Sequence, residues 1–145
     1  MAEQYNLNRF VDAQSANYAA ALAELRRGRK TSHWIWYVFP QLRGLGRSDM
    51  AAFYGLEGIS EARAYLAHPV LGPRLVESVR AMLAHPTGTA SQILGEVDAL
   101  KFRSCLTLFL GVAPTDEAFQ GALDRFYGGQ PDPMTLALLA DQGGD

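Results

Sequence analysis

The sequence is poor in the residues that build metal and redox centres. Its 145 residues include one cysteine and three histidines. A lone cysteine cannot close an internal disulfide, which fits a reducing, cytoplasmic compartment. No two histidines stand at i and i+4, and Cys105 has no second cysteine, so no metal site is expected. No cofactor is expected either. The Gly-Lys-Ser/Thr ending of a phosphate-binding loop is missing, and no strand precedes a glycine triplet of the dinucleotide type. No apolar run approaches the roughly 18 residues of a membrane span. The N-terminus lacks the basic-then-apolar order of a signal peptide. Sustained apolar–polar alternation is absent, so no sheet is expected. A net charge of −2 argues against general nucleic-acid binding.

What is present suffices for a core. Hydrophobic residues make up 48% and charged residues 19% of the chain. That composition and length fit one domain over residues 1–145. The apolar spacing predicts an all-α fold, a compact bundle of about seven to eight short and medium helices. Phe10, Tyr18, Ala21, Leu22 and Leu25 place a first helix over Arg9–Arg27, stopped by Gly28. Gln14 and Asn17 fall on the same stripe, so a break near Ser15 is an alternative. Further helices are expected over Asp49–Tyr54 capped by Ser48, from Ser60 to His68-Pro69, and from Gly72-Pro73 to His85-Pro86. Others follow over Ala90–Leu94, from an Asp98 cap to Val112, after a Thr115 cap to Gly128, and over Met134–Ala140. The tail from Gln142 to Asp145 is expected to fray. The second half of the Asp98–Val112 helix is apolar nearly all round, which marks it as central and buried.

Two features stand out from this background. The first is the segment Lys30–Ser48. Between Leu25 and Ser48 there are six basic residues and no acidic one, so this window carries +6 and the rest of the chain −8. Clustered positive charge raises the local concentration of anions. The same stretch is rich in aromatics: Trp34, Trp36, Tyr37 and Phe39. Trp34–Phe39 is too short for periodicity to separate one helical turn from a strand. In either geometry successive side chains diverge. Part of the run then faces the core, while an outward Trp36 or Tyr37 can stack on a ring. His33 offers an imidazole for proton transfer. Gly44, Gly46, Arg47 and Ser48 lead into a helix N-terminus, where free amides can cradle an anion; plain turn chemistry explains the same residues.

The second feature is a polar stripe on the central helix: Lys101, Arg103, Ser104 and Thr107. Polar groups on a buried helix need partners or a ligand. Either Lys101 pairs with an acid such as Glu61 or Glu96 and the hydroxyls bond the preceding turn, or the stripe faces Lys30–Ser48 across a pocket. His68 and His85 precede prolines at helix ends, where they can bond the last carbonyls. Cys105 lies in an apolar stretch and reads as an inert thiol.

The run from His33 through Trp34, Trp36, Tyr37 and Phe39 to Pro40-Gln41, followed by Gly44-Leu45-Gly46-Arg47-Ser48, resembles the signature of a bacterial domain-of-unknown-function family, number eighteen-ten. Glu61–Leu66 with His68–Gly72 resembles its second block. Asp98 through Lys101–Ser104 to Leu108-Phe109 resembles its third. The similarity spans about residues 8–127, with Cys105 standing where a serine is the expected residue. It implies an all-helical domain without an established activity. The calpastatin label that some members carry does not suit this chain, because such inhibitors are polar and disordered.

Together these features point to a pocket for a small phosphorylated or nucleotide-like ligand, with hydrolase or glycosidase activity as an extension. The expected catalytic pair is His33 and Lys101. The expected binding residues are Trp36, Tyr37, Gln41, Arg47, Ser48, Arg103 and Ser104. The alternative is a non-enzymatic protein-interaction module that docks through segment 30–48.

Overall fold

A computed structural model describes residues 5–142 of the chain. Among these residues there are nine helices and no strand: α1 Asn8–Arg27, α2 Ile35–Val38, α3 Asp49–Tyr54, α4 Ile59–Ala67, α5 Leu71–Leu83, α6 Ala90–Leu94, α7 Glu96–Val112, α8 Glu117–Tyr127 and α9 Pro133–Gln142. The all-α expectation holds, with one or two more helices than the spacing suggested. The aromatic run forms a single helical turn, α2, because its backbone groups find partners within the turn: Val38 N–H reaches Trp34 O at 3.2 Å. The only bridge pairing among the described residues joins Leu42 to Leu56. Positions 143–145 of the tail expected to fray lie outside the described residues, while Gln142 closes α9.

α1 is unbroken. Phe10, Ala21 and Leu25 are buried on one face. Gln14 shares that face without interrupting it, because its amide donates to Tyr37 O at 2.6 Å and to the Tyr65 hydroxyl at 3.1 Å. A buried amide is tolerated once its donors are satisfied. The helix ends at Gly28 in left-handed geometry, φ +83°. Gly28 is also tightly packed: a Cβ there would lie 3.0 Å from His85 Cε1.

Several helix starts differ from the sequence expectation, each for a local reason. α4 begins at Ile59 after Gly58, so Ser60 lies inside the first turn and does not cap. α5 begins at Leu71, and Pro73 falls at its third position, where the N–H would be unbonded anyway. α7 follows directly from Gly95, which leaves Asp98 in the first turn rather than at the cap. Asp116, not Thr115, caps α8 by accepting from Phe119 N–H at 3.0 Å. The two histidines before prolines do not bond the last carbonyls of their own helices. His68 Nδ1 accepts from Val70 N–H (3.1 Å) and Leu71 N–H (3.3 Å), capping the start of the next helix. His85 Nε2 lies 2.6 Å from Leu25 O, at the end of α1.

α7 is the central element, packed against α2, α4, α6, α8 and α9. Phe102, Cys105, Leu106, Leu108 and Phe109 are buried along it. Burial also pushes the Cys105 thiol well above its usual pKa, as expected of an inert buried cysteine. A second close approach joins α4 to α5: a Cβ on Gly72 would lie 2.1 Å from Leu66 O.

Candidate functional site

The aromatic segment is held in place by Glu24, a residue that the sequence reading passed over. Its carboxylate is buried (6% exposed) near the end of α1. It accepts from Thr31 N–H at 2.7 Å, Ser32 N–H at 3.0 Å and the Trp34 indole N–H at 2.9 Å. The Ser32 hydroxyl supplies a fourth bond. Burial alone would raise the carboxyl pKa, but these bonds to its charged form outweigh it and bring it down to about 2. Residues 31–34 are thereby pinned. Tyr37 then donates its hydroxyl to His33 O at 3.1 Å, closing the turn.

This anchoring decides which aromatics face inward. Trp34, Tyr37 and Phe39 are buried, and only Trp36 is partly exposed. The outward Tyr37 considered from the sequence is therefore corrected: the single turn of α2 carries its ring onto Tyr54, centroids 5.2 Å apart.

Trp36 meets the central helix. Trp36, Phe39, Gln41, Tyr54 and Lys101 line a closed crevice without room for a water molecule, with Ala51 and Gly55 completing its wall. The Trp36 indole N–H is buried and has no hydrogen-bond partner. Gln41 is 8% exposed. Gly46 packs nearby: a Cβ there would lie 2.7 Å from Ala51 Cβ and 3.5 Å from Gln41 Nε2. The polar groups of the lining residues thus comprise an indole N–H, an amide, an ammonium and the Tyr54 phenol, with no carboxylate or imidazole on the walls. The crevice is too tight for a ligand as it stands.

Lys101 does have an acidic partner, but neither Glu61 nor Glu96. Its Nζ is 3.4 Å from Asp98 Oδ1. The other oxygen of Asp98 is held more closely by Lys30, at 2.8 Å. Lys30 also donates to Ser32 O at 2.6 Å and lies 5.0 Å from the Trp34 ring centroid. Glu61 is engaged elsewhere, 3.0 Å from Arg9 in a buried pair.

Three of the nine expected site residues therefore share one crevice: Trp36, Gln41 and Lys101. The others are placed apart from it. His33 is exposed, one residue before the buried Trp34. Ser48 caps α3 by accepting from Ala51 N–H at 3.0 Å, and Arg47 is exposed in the loop before it. Arg103 donates to Gln130 O (2.8 Å) and Pro131 O (3.0 Å), tying α7 to the α8–α9 connection. Ser104 and Thr107 donate back to Leu100 O (3.1 Å) and Arg103 O (2.8 Å). Much of the polar stripe is thus satisfied within the fold.

Roomier hollows lie elsewhere, and the expected site residues do not line them. One, about 750 Å³, is an open groove across α4 and α5 beside Arg26, with an apolar floor that includes Leu66 and Val76. Another, about 510 Å³, surrounds Arg9 and Glu61. In that one the buried charges are already paired, and Arg9 also donates to Phe53 O at 2.8 Å.

Comparison with known proteins gives a family without an activity. No curated protein matches the chain. Among solved structures the fold is similar to the conserved hypothetical protein Rv1873 from Mycobacterium tuberculosis, with a TM-score of 0.92 and 45% sequence identity. That similarity covers 94% of this chain and 97% of that one. A family model described as a protein of unknown function, DUF1810, matches residues 4–139, reaching beyond the 8–127 of the sequence resemblance to take in most of α9. With the aromatic segment, the central helix and nearly all of the chain inside that match, the protein belongs to the DUF1810 family.

Proposed function

We propose that this protein binds a small anionic ligand at the Trp36–Gln41–Lys101 crevice, within the phosphorylated or nucleotide-like class expected from the sequence. The observation that carries the reading is the buried indole N–H of Trp36, which lacks an acceptor. A buried donor left unmet costs roughly 1–3 kcal/mol. Such a cost is retained more readily where a ligand removes it. Lys101 supplies the charge, and Gln41 supplies an amide that can donate beside it. The crevice must widen to admit the ligand, and Gly46 packs against two of its wall residues, Ala51 and Gln41.

The reading is one of binding. Glycoside cleavage needs a pair of carboxyl groups at the reacting bond, and the crevice walls carry neither a carboxylate nor an imidazole for such work. Docking of a protein through segment 30–48 is the weaker reading. Interface anchors are exposed aromatics, and three of the four aromatics here are buried.

The test is an NMR titration of the two indole N–H signals, assigned with Trp36→Phe. Acetate, methyl phosphate and adenosine monophosphate serve as probes. At least one is expected to move the Trp36 signal downfield while the Trp34 signal stays, and Lys101→Met is expected to abolish the shift. A Trp36 signal indifferent to all three, or a shift that survives Lys101→Met, defeats the proposal.

A further inference from the structure

We infer that the Lys30–Asp98–Lys101 cluster makes this site selective for monoanions, with Lys30 acting from outside the crevice to keep Lys101 available. This inference rests on the binding reading above and specifies the charge of its ligand.

The two lysines do not share Asp98 equally. Lys30 lies 2.8 Å from Oδ2 and Lys101 3.4 Å from Oδ1. The Lys30 side chain is 7% exposed and has two further attachments, Ser32 O at 2.6 Å and the Trp34 ring. Lys101 is 20% exposed, and among the described residues its one polar partner is the distant Asp98 oxygen. An ammonium has three donors, so Lys101 keeps capacity for an incoming acceptor. Lys30, fixed on Asp98, prevents that carboxylate from closing on Lys101.

Two lysines against one aspartate leave a net charge of one positive unit beside the crevice. A ligand with one negative charge balances it. A dianion would bring a second charge into a largely enclosed place with no cation to meet it, and an unpaired buried charge is costly. The favoured ligand group is thus singly charged, a phosphodiester within the phosphorylated class or a carboxylate beside it, ahead of a doubly ionised phosphate monoester.

Asp98 and Lys30 sit behind the charge that the ligand meets, so changing either alters selectivity without removing a crevice wall. Acetate and methyl phosphate are titrated at pH 8, where methyl phosphate is largely dianionic, and the Trp36 indole signal is read. The wild-type protein is expected to bind acetate at least several-fold more tightly. Asp98→Asn leaves two cations without their carboxylate and is expected to reverse the preference towards methyl phosphate. Lys30→Met frees Asp98 to pair with Lys101 and is expected to weaken acetate binding about tenfold or more. Thermal denaturation of both variants checks that the fold is retained. Equal or tighter binding of methyl phosphate by the wild type, or unchanged acetate binding in folded Lys30→Met, overturns the selection and leaves the site standing. A Trp36 signal silent to both anions in the wild type overturns the site and the selection with it.

Discussion

Glu24 shows how one side chain sets the geometry of a whole segment. Its four accepted hydrogen bonds come from three residues within one four-residue stretch, Thr31, Ser32 and Trp34. Because its folded-state pKa lies near 2 against an ordinary 4.5, the folded protein resists protonation there more than the unfolded chain does. The stabilisation is complete above about 4.5 and is lost as pH falls towards 2. Glu24→Gln replaces one acceptor oxygen with a donor and removes the charge. It is expected to cost about 2–3 kcal/mol at pH 7 and to flatten this part of the acid dependence. Urea denaturation of both proteins at pH 7 and pH 3 checks this, since the difference between them should narrow at the lower pH. Glu24 was partly legible in the sequence: it falls three residues after Ala21, beside the buried stripe. An acid near the end of a long helix nevertheless reads as a solvated residue, because nothing local predicts that a loop seven residues later will fold back onto it.

At the scale of elements, apolar spacing identified the helices better than it identified their ends. Ser60, Asp98 and Thr115 are all plausible caps, yet none caps its helix. Cap choice depends on where the preceding backbone arrives, which is a tertiary matter. The candidate site was legible to a similar degree. Trp36, Gln41 and Lys101 do meet, joining the aromatic segment to the central helix as one of the two readings required. Arg103 does not join them. Two residues along an α-helix turn through about 200°, so Lys101 and Arg103 face nearly opposite ways. The stripe is better read as two functions on one helix, Lys101 at the crevice and Arg103 at the α8–α9 connection. Packing between elements also yields a sharp expectation. Gly72 has no room for a methyl group against Leu66 O, at 2.1 Å from an added Cβ. Gly72→Ala is expected to push α4 and α5 apart and to cost about 2–3 kcal/mol. A denaturant midpoint shifted downward with an unchanged slope is the expected result.

Across the whole molecule, charge that looks segregated in the sequence is partly neutralised by the fold. Lys30 is taken up by Asp98, and Arg26 lies 3.6 Å from Glu77 on an exposed face. Arg43 donates to Ala52 O at 3.1 Å. The charge of the basic window is thus met in part within the fold, where its Lys30 converges with Lys101 on Asp98. The core is similarly interconnected. α7 touches helices from both ends of the chain, α2 and α9 among them. A buried polar link runs from Gln14 to Tyr37 and Tyr65. This connectivity predicts a single cooperative unit. Calorimetry is expected to give one transition, with calorimetric and van't Hoff enthalpies in agreement. Two resolved transitions would mean that the described helices form more than one folding domain. No described helix is long and apolar enough to cross a membrane.

The end of α1 carries a consequence for how the chain folds. Its last turn is completed by His85, 60 residues away, whose ring meets Leu25 O and lies against Gly28. A nascent α1 can supply its own glycine stop but not that partner, which arrives only when α5 docks. Closing so long a loop is a late and entropically costly event. The contact therefore belongs to the native side of the folding barrier and acts as a latch: weakening it should quicken unfolding while leaving the folding rate nearly unchanged.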